Sequence, residues 1–379
     1  MKTIYRRSQK VVPTFALATA LVLTLPGAAM ASVSSVPDDT GHLAGSGYAL
    51  AQNGSLTYVG GTFTKLGGKP RANIGALRAD GTVDPTFLPS TNGKVKTIAV
   101  SDDGSRVFLG GTFTTVDGQA RANLAAVDAT TGALVTDWQA DTTGTTPDVH
   151  SLAVHGDMLY VAGKFGGIGG TERKRLQAVS VSSGDVVMSF NAKVSGGIRQ
   201  IELSPDFSTV YAGGGFSSLS GQSRLGIGAV DAVTGAPRAW APTETGGSLV
   251  SIDLSPDGSR LWFGTDNNTV FAYNVDSNTP VYSFKMSGNT QAIEATSTEV
   301  YFGGHFAGSI TEKIHRAFLA SFDPATGKLT NWDPDVEGGK MGVWDIMAEG
   351  NHVHIAGVFT TLNLGTIQAR GYARFTGTP

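Results

Sequence analysis

The sequence contains no cysteine. That excludes disulfides, thiolate metal sites and lipid attachment at a leader cysteine. It has no Gly-x-Ser-x-Gly elbow, and its repeat brings no Ser, His and Asp together for nucleophilic catalysis. Charge is sparse, with only 16% of the 379 residues being Asp, Glu, Lys or Arg. Long apolar runs are missing as well. The longest, Val11 to Leu25, has 15 residues and is interrupted by Pro13, whereas a membrane-spanning helix needs ~20.

The first 31 positions lack any acid, while Lys2, Arg6, Arg7 and Lys10 precede the apolar run and Ala29-Met30-Ala31 follows it. This is the layout of a secretory leader, with cleavage expected after Ala31. Losing four cations takes the formal net charge from −3 to −7. Nucleic-acid binding is driven by Lys and Arg neutralising phosphates, so nucleic acid is not an expected partner. The mature chain, 32–379, is expected to be a free extracellular monomer without a membrane span, cofactor or metal.

Glycine is what the chain has in quantity, 51 residues against 15 prolines, and it falls at regular intervals. VFLGGTFTTVDGQARANLAAVD, from Val107 to Asp128, shows the pattern: an apolar run, Gly-Gly-x-Phe, a Gly-containing turn, an Arg, and a second apolar run closing on Asp. Its Phe recurs as Phe63, Phe113, Phe165, Phe216, Phe306 and Phe359, with a degenerate copy from Phe263 to Asn268. Successive spacings are 50, 52, 51, 90 and 53 residues, in the range of four-stranded propeller blades. The pattern predicts an all-β, seven-bladed β-propeller forming one domain, with blades of four antiparallel strands, A to D. Strands A and B are joined by tight turns at Asn53-Gly54, Asp103-Gly104, Gly156-Asp157, Pro205-Asp206, Asp257-Gly258 and Gly350-Asn351, dipeptides that supply positive φ. Strands C and D are joined by Asp-x-x-Thr-Gly at Asp128–Gly132, Asp231–Gly235 and Asp323–Gly327. Strand D carries Phe87, Trp138, Phe190, Trp240, Phe284 or Trp332, expected to pack between blades. The seventh unit has no strand D, and Ser32–Asp38 is expected to supply it and close the ring.

The unit is similar to the delta-60 repeat family of secreted bacterial β-propellers, common in actinobacteria. LTYVGGTFTKLGGKPRANIGAL, VFLGGTFTTVDGQARANLAAVDATTGAL and VYAGGGFSSLSGQSRLGIGAVDAVTG carry the resemblance, and Kelch repeats are more distantly similar. The resemblance implies the propeller fold and no catalytic residues. The fifth unit, LWFGTDNNTVFAYNVD, departs from it in having no long turn and no Arg, which predicts a notch in the rim.

Features that recur in most units are expected to be scaffold, and positions that differ between units are where function can lie. Arg71, Arg121, Arg173, Arg224 and Arg316 recur and are read as structural. The pairs Gly60-Gly61, Gly110-Gly111 and Gly303-Gly304 have no helix behind them to bind phosphate and are read as close approaches between sheets. Strand A is the innermost strand. With the units aligned on Leu50, Ile98, Leu152, Ile201, Ile252, Ile293 and Ile346, the residue two before is Tyr48, Lys96, His150, Arg199, Val250, Gln291 or Trp344. An aromatic side then meets a cationic side at the channel mouth, suited to a sugar ring bearing carboxylate or sulfate. Deeper lie Glu202, Asp253 and Glu294, with Asp345 near. Calcium favours carboxylate cages, but those come from compact loops, so mutually repelling carboxylates in a wet channel are expected. His352 and His354 share a strand face without further ligands.

These features point to a non-catalytic recognition module whose ligand, an acidic glycan or a surface protein, meets the channel mouth. Two alternatives stay open. One is a channel-site polysaccharide lyase or hydrolase, with Arg199 holding a uronate carboxylate and His150 or Tyr48 as base. The other is a structural cell-envelope protein that contacts partners through its rim loops.

Overall fold

The computed structural model describes residues 33–242, 245–311, 314–339 and 342–377. The leader read over 1–31 lies outside the described residues. Within them the chain is all-β with no helix, and so none long and apolar enough to cross a membrane.

Seven antiparallel sheets of three or four strands follow one another. Their strands A are Leu43–Asn53, Val95–Val100, Asp148–His155, Gly197–Leu203, Leu249–Leu254, Thr290–Ala295 and Gly342–Glu349. Each packs beside strand A of the next unit, and Gly342–Glu349 packs beside Leu43–Asn53. The core lies between sheets, in clusters that join neighbouring units, such as Tyr58, Phe87, Val95, Ile98 and Leu109. The strand-D aromatics sit there. Trp138 lies 5.3 Å from Phe108 of its own sheet, and its Nε1 donates to the Ser180 carbonyl of the next at 3.0 Å.

The expectation of four full strands per unit needs correction. A complete strand D, Thr279–Lys285, occurs in the fifth unit. In five others it is reduced to one bridge: Leu77 with Val83, Val127 with Leu134, Val179 with Val186, Val230 with Pro237, and Phe322 with Leu329. The recurrent arginines explain the difference. Nη2 of Arg71, Arg121, Arg173, Arg224 and Arg316 donates to a carbonyl just past each bridge, on Asp84, Thr136, Met188, Arg238 and Thr330 respectively. A charged donor replaces the ladder there, and the unit without the arginine keeps the ladder. The seventh unit is flanked instead by the N-terminal segment. Val33 bridges Gly377 and Asp39 bridges Arg374, while Trp332 Nε1 donates to the Ser34 carbonyl at 3.0 Å.

The A–B turns carry positive φ on glycine where the dipeptide offers one, as at Gly104 (φ 68°). Pro205-Asp206 offers none, and the left-handed residue is Phe207 (φ 55°). Its exposed ring stacks on His155 with centroids 3.6 Å apart.

Gln177 is an exception among the strand-C residues. It is fully buried where other units have Gly75, Ala125 and Gly228, and among the described residues neither amide atom has a hydrogen-bond partner. An unsatisfied buried polar group costs about 1–3 kcal/mol, and an apolar residue of similar shape removes that cost. Gln177→Leu is therefore expected to raise the urea midpoint at unchanged m-value; a lower midpoint would count against the accounting.

Candidate functional site

The ring residues share a backbone irregularity. In every strand A the ladder skips one residue, between Gly47 and Ala49, Val95 and Thr97, Val149 and Ser151, Ile198 and Gln200, Leu249 and Ser251, Thr290 and Ala292, and Val343 and Asp345. The skipped residues are Tyr48, Lys96, His150, Arg199, Val250, Gln291 and Trp344. A β-bulge re-aims the residue it displaces, and all seven line one cavity of about 530 Å³.

The glycine pairs make this possible. A Cβ on Gly110 would lie 2.6 Å from Val149 of the next sheet, which is the close approach between sheets expected from the sequence. A Cβ on Gly111 would instead lie 2.0 Å from the Lys94 carbonyl oxygen, beside the bulge in its own sheet. The second glycine thus accommodates the bulge that aims the ring residue, which corrects its assignment to an approach between sheets.

One wall of the cavity is aromatic. Tyr48 and Trp344 meet edge to face with centroids 5.6 Å apart, and His305 stands edge-on to Trp344 at 5.4 Å. Lys94 Nζ lies 5.3 Å from the Tyr48 ring centroid, adding a cation that the ring alignment missed because it precedes the bulge. Next to this wall Lys96 donates to Asp148 at 2.6 Å, and His150 Nε2 lies 3.2 Å from the same carboxylate. Burial alone would raise the pKa of Asp148, but bonds from His150 and Lys96 hold it below the usual value. Asp148 also escaped the alignment, although as residue i−2 on the same strand it was a candidate neighbour for His150. Since His150 Nδ1 lies 2.8 Å from the Ile198 carbonyl oxygen, both ring nitrogens face acceptors within the protein and neither points freely at a substrate. Arg199 is exposed, and among the described residues its side chain has no polar partner.

Three of the four deeper acids, Asp253, Glu294 and Asp345, have a structural task. The inner edge of each strand A faces the cavity and has no ladder partner among the described residues. Side chains of neighbouring units take that place: Asp345 accepts from the Leu50 amide at 2.7 Å, Asp253 from Ala295 at 2.6 Å and Glu294 from Ala348 at 2.9 Å. Thr97, Ser151 and Gln200 do the same for Leu152, Ile201 and Ile252. Repulsion between solvated carboxylates therefore describes only part of their role. Burial raises the pKa of Asp253 and Asp345 to about 7 against the stabilising amide bonds. It pushes Glu202 and Glu294 well above the usual carboxylate range, with the neighbouring Asp253 charge adding to it. Among the described residues no three His, Asp or Glu side chains are arranged to hold a metal ion. His354 Nδ1 lies 2.9 Å from the Tyr372 hydroxyl, inside the sheet. A second cleft, of about 470 Å³ and lined by Phe216, Leu225 and Thr245–Ser248, lies beside the tight turn of the fifth unit.

Fold and site together define an all-β protein of propeller type. A family model described as a domain of unknown function (DUF5122) beta-propeller matches residues 51–87. A crystal structure of the computationally designed Ika8 protein aligns with TM-score 0.56 and 10% identity, covering 90% of this chain and 99% of that one; at that identity the likeness concerns the fold alone. A search of curated proteins finds no match.

Proposed function

We propose that the chain is a secreted, monomeric, single-domain recognition module of the delta-60 repeat type, with residues 1–31 removed on export. Its seven sheets are the blades of one closed ring, in which Val33–Asp39 completes the last blade. The ligand is an acidic glycan bound at the channel mouth. A sugar ring stacks on the Tyr48–Trp344 wall, and its carboxylate or sulfate pairs with Arg199 and the neighbouring Lys94 and Lys96. The observation that carries this reading is the placement of an aromatic pair and an unpartnered arginine in one cavity by seven equivalent bulges. Aromatic contacts and charge-assisted bonds are the two interactions such a ligand offers. A lyase at this site would need a free base; both nitrogens of His150 face acceptors, which leaves Tyr48 for that role.

The test incubates the exported chain with acidic and neutral polysaccharides and measures both co-sedimentation and released oligosaccharide. Retention of uronate- or sulfate-bearing polymer without product is expected. Trp344→Ala should weaken retention about tenfold or more while the all-β circular dichroism spectrum is kept. Released product would replace the module with the lyase or hydrolase, and failure to retain any sugar would leave a surface protein as the ligand.

A further inference from the structure

Because the chain repeats, each position can be compared with its counterparts in sister units. At three positions on one edge the third unit carries cations where the first two units carry small neutral residues. Lys164, at the end of strand B, stands where other units have Thr62, Thr112 and Gly215. Lys174 stands where they have Ala72, Ala122, Leu225, Ala317 and, in the seventh unit, a second cation, Arg370; Arg175 stands where they have Asn73, Asn123, Gly226, Phe318 and Gly371.

Arg175 is the most informative of the three. Its counterparts are all left-handed, Asn73 at φ 70°, Asn123 at 69°, Gly226 at 77°, Phe318 at 63° and Gly371 at 73°, and Arg175 adopts the same conformation at 76°; Phe318, the other bulky residue among them, packs its ring against the core. Asparagine and glycine enter that region readily, whereas arginine does so at a cost. Asn73 and Asn123 also use their amides to bond the Thr91 and Phe113 carbonyls. The half-buried Arg175 side chain bonds nothing among the described residues, and neither does exposed Lys174. Lys164 Nζ reaches only the Thr146 hydroxyl, at 3.0 Å. A strained residue that makes no internal contact points to a contact outside the chain.

The ladder fixes where these residues lie. Lys164 pairs with Asp148 and Gly163 with Val149, and the Gly163 amide donates to the Arg175 carbonyl at 2.9 Å. Neighbouring strands are about 4.8 Å apart. The cations therefore form a row that starts at Lys96 beside the channel mouth and runs outward across the end of the third sheet. Arg199 flanks it from the next strand A. The acids on this edge are Asp148, already engaged by Lys96 and His150, and the exposed Glu172.

We infer that this edge is an extended subsite for a linear polyanion, taking further residues of the acidic polysaccharide whose end occupies the channel mouth. The inference rests on the glycan reading above. A polymer with one charge per residue meets Lys164, Lys174 and Arg175, none of them ion-paired among the described residues, and each added contact adds charge complementarity.

The exported chain is titrated with a trimer and a decamer of galacturonate, and with a single-stranded DNA decamer. Lys164→Thr/Lys174→Ala/Arg175→Asn restores residues that sister units carry, so its melting midpoint should equal or exceed the parent's. The parent is expected to bind the galacturonate decamer about tenfold tighter than the trimer, with the steeper salt dependence. The triple variant should bind both at the parent's trimer affinity. An undiminished gain with length in the variant, or tighter binding of DNA than of galacturonate decamer, overturns the proposal. Trimer binding by the parent with no gain for the decamer overturns the subsite alone and leaves the glycan reading standing. Binding of neither galacturonate overturns both.

Discussion

Deleting Val33–Asp39 is expected to lower stability by about 3–5 kcal/mol, the scale for a large buried side chain that loses its packing. Trp332 would be that side chain, since it is 5% exposed and packs with Val33, Val353 and Phe375. The deletion would also remove Asp38, which is ion-paired with Arg374 at 2.6 Å. Arg374 in turn bonds the Ala79 carbonyl of the first unit at 2.6 Å, so one residue ties the two ends of the array together. The edge of Tyr372–Thr376 would be left open, and an unpaired strand edge invites association. Thermal melts and size-exclusion chromatography check both effects. An unchanged midpoint with a monomeric elution would overturn the closed ring proposed here.

Stability is expected to fall as pH rises from 6.5 to 8.5, and Glu294→Gln should flatten that fall. Glu202 and Glu294 have pKa values raised well above the usual range by burial and by the Asp253 charge. A carboxylate with a raised folded-state pKa contributes its stability below its unfolded value and loses it as pH climbs towards the folded one. Each group costs about 1.4 kcal/mol per pH unit crossed. Asp253 and Asp345, at about 7, lose most of theirs between about pH 4 and 7. The opposing groups act lower on the scale. His354 is held neutral by burial, with its pKa lowered to about 3, so it favours the folded state more as pH rises towards 6.5. Asp103, bonded by Ser101, is lowered to about 2, and its contribution is lost only in acid. Above pH 6.5 the channel acids are left to decide the slope. Melting midpoints measured across the window provide the check, and a midpoint that rises from pH 6.5 to 8.5 would contradict the burial of these acids.

The repeat made much of the architecture legible. Turn dipeptides, the Asp-x-x-Thr-Gly turns and the spacing of apolar runs are local signals, and they located strands A to C because a hairpin is specified by residues within a few positions of each other. Strand D was over-read for the same reason. Its apolar pattern is present in each unit, but whether it forms a ladder depends on an arginine that reaches it from the B–C turn. The candidate site divides in the same way. Alignment found the seven variable positions, whereas Asp148 and Lys94 became part of the site only once neighbouring strands were set side by side.

By itself the sequence determined the all-β class, the propeller type, the positions of the hairpin turns and which residues vary from unit to unit, since all of these follow from short-range pattern and repetition. The tertiary structure alone decided that the variable residues sit on bulges facing one cavity, that Asp253, Glu294 and Asp345 cap the free edges of neighbouring strands, and that Arg175 is strained without a side-chain partner among the described residues. Those properties depend on contacts between residues some fifty positions apart, such as Glu294 with Ala348, and no local pattern encodes the register that brings them together.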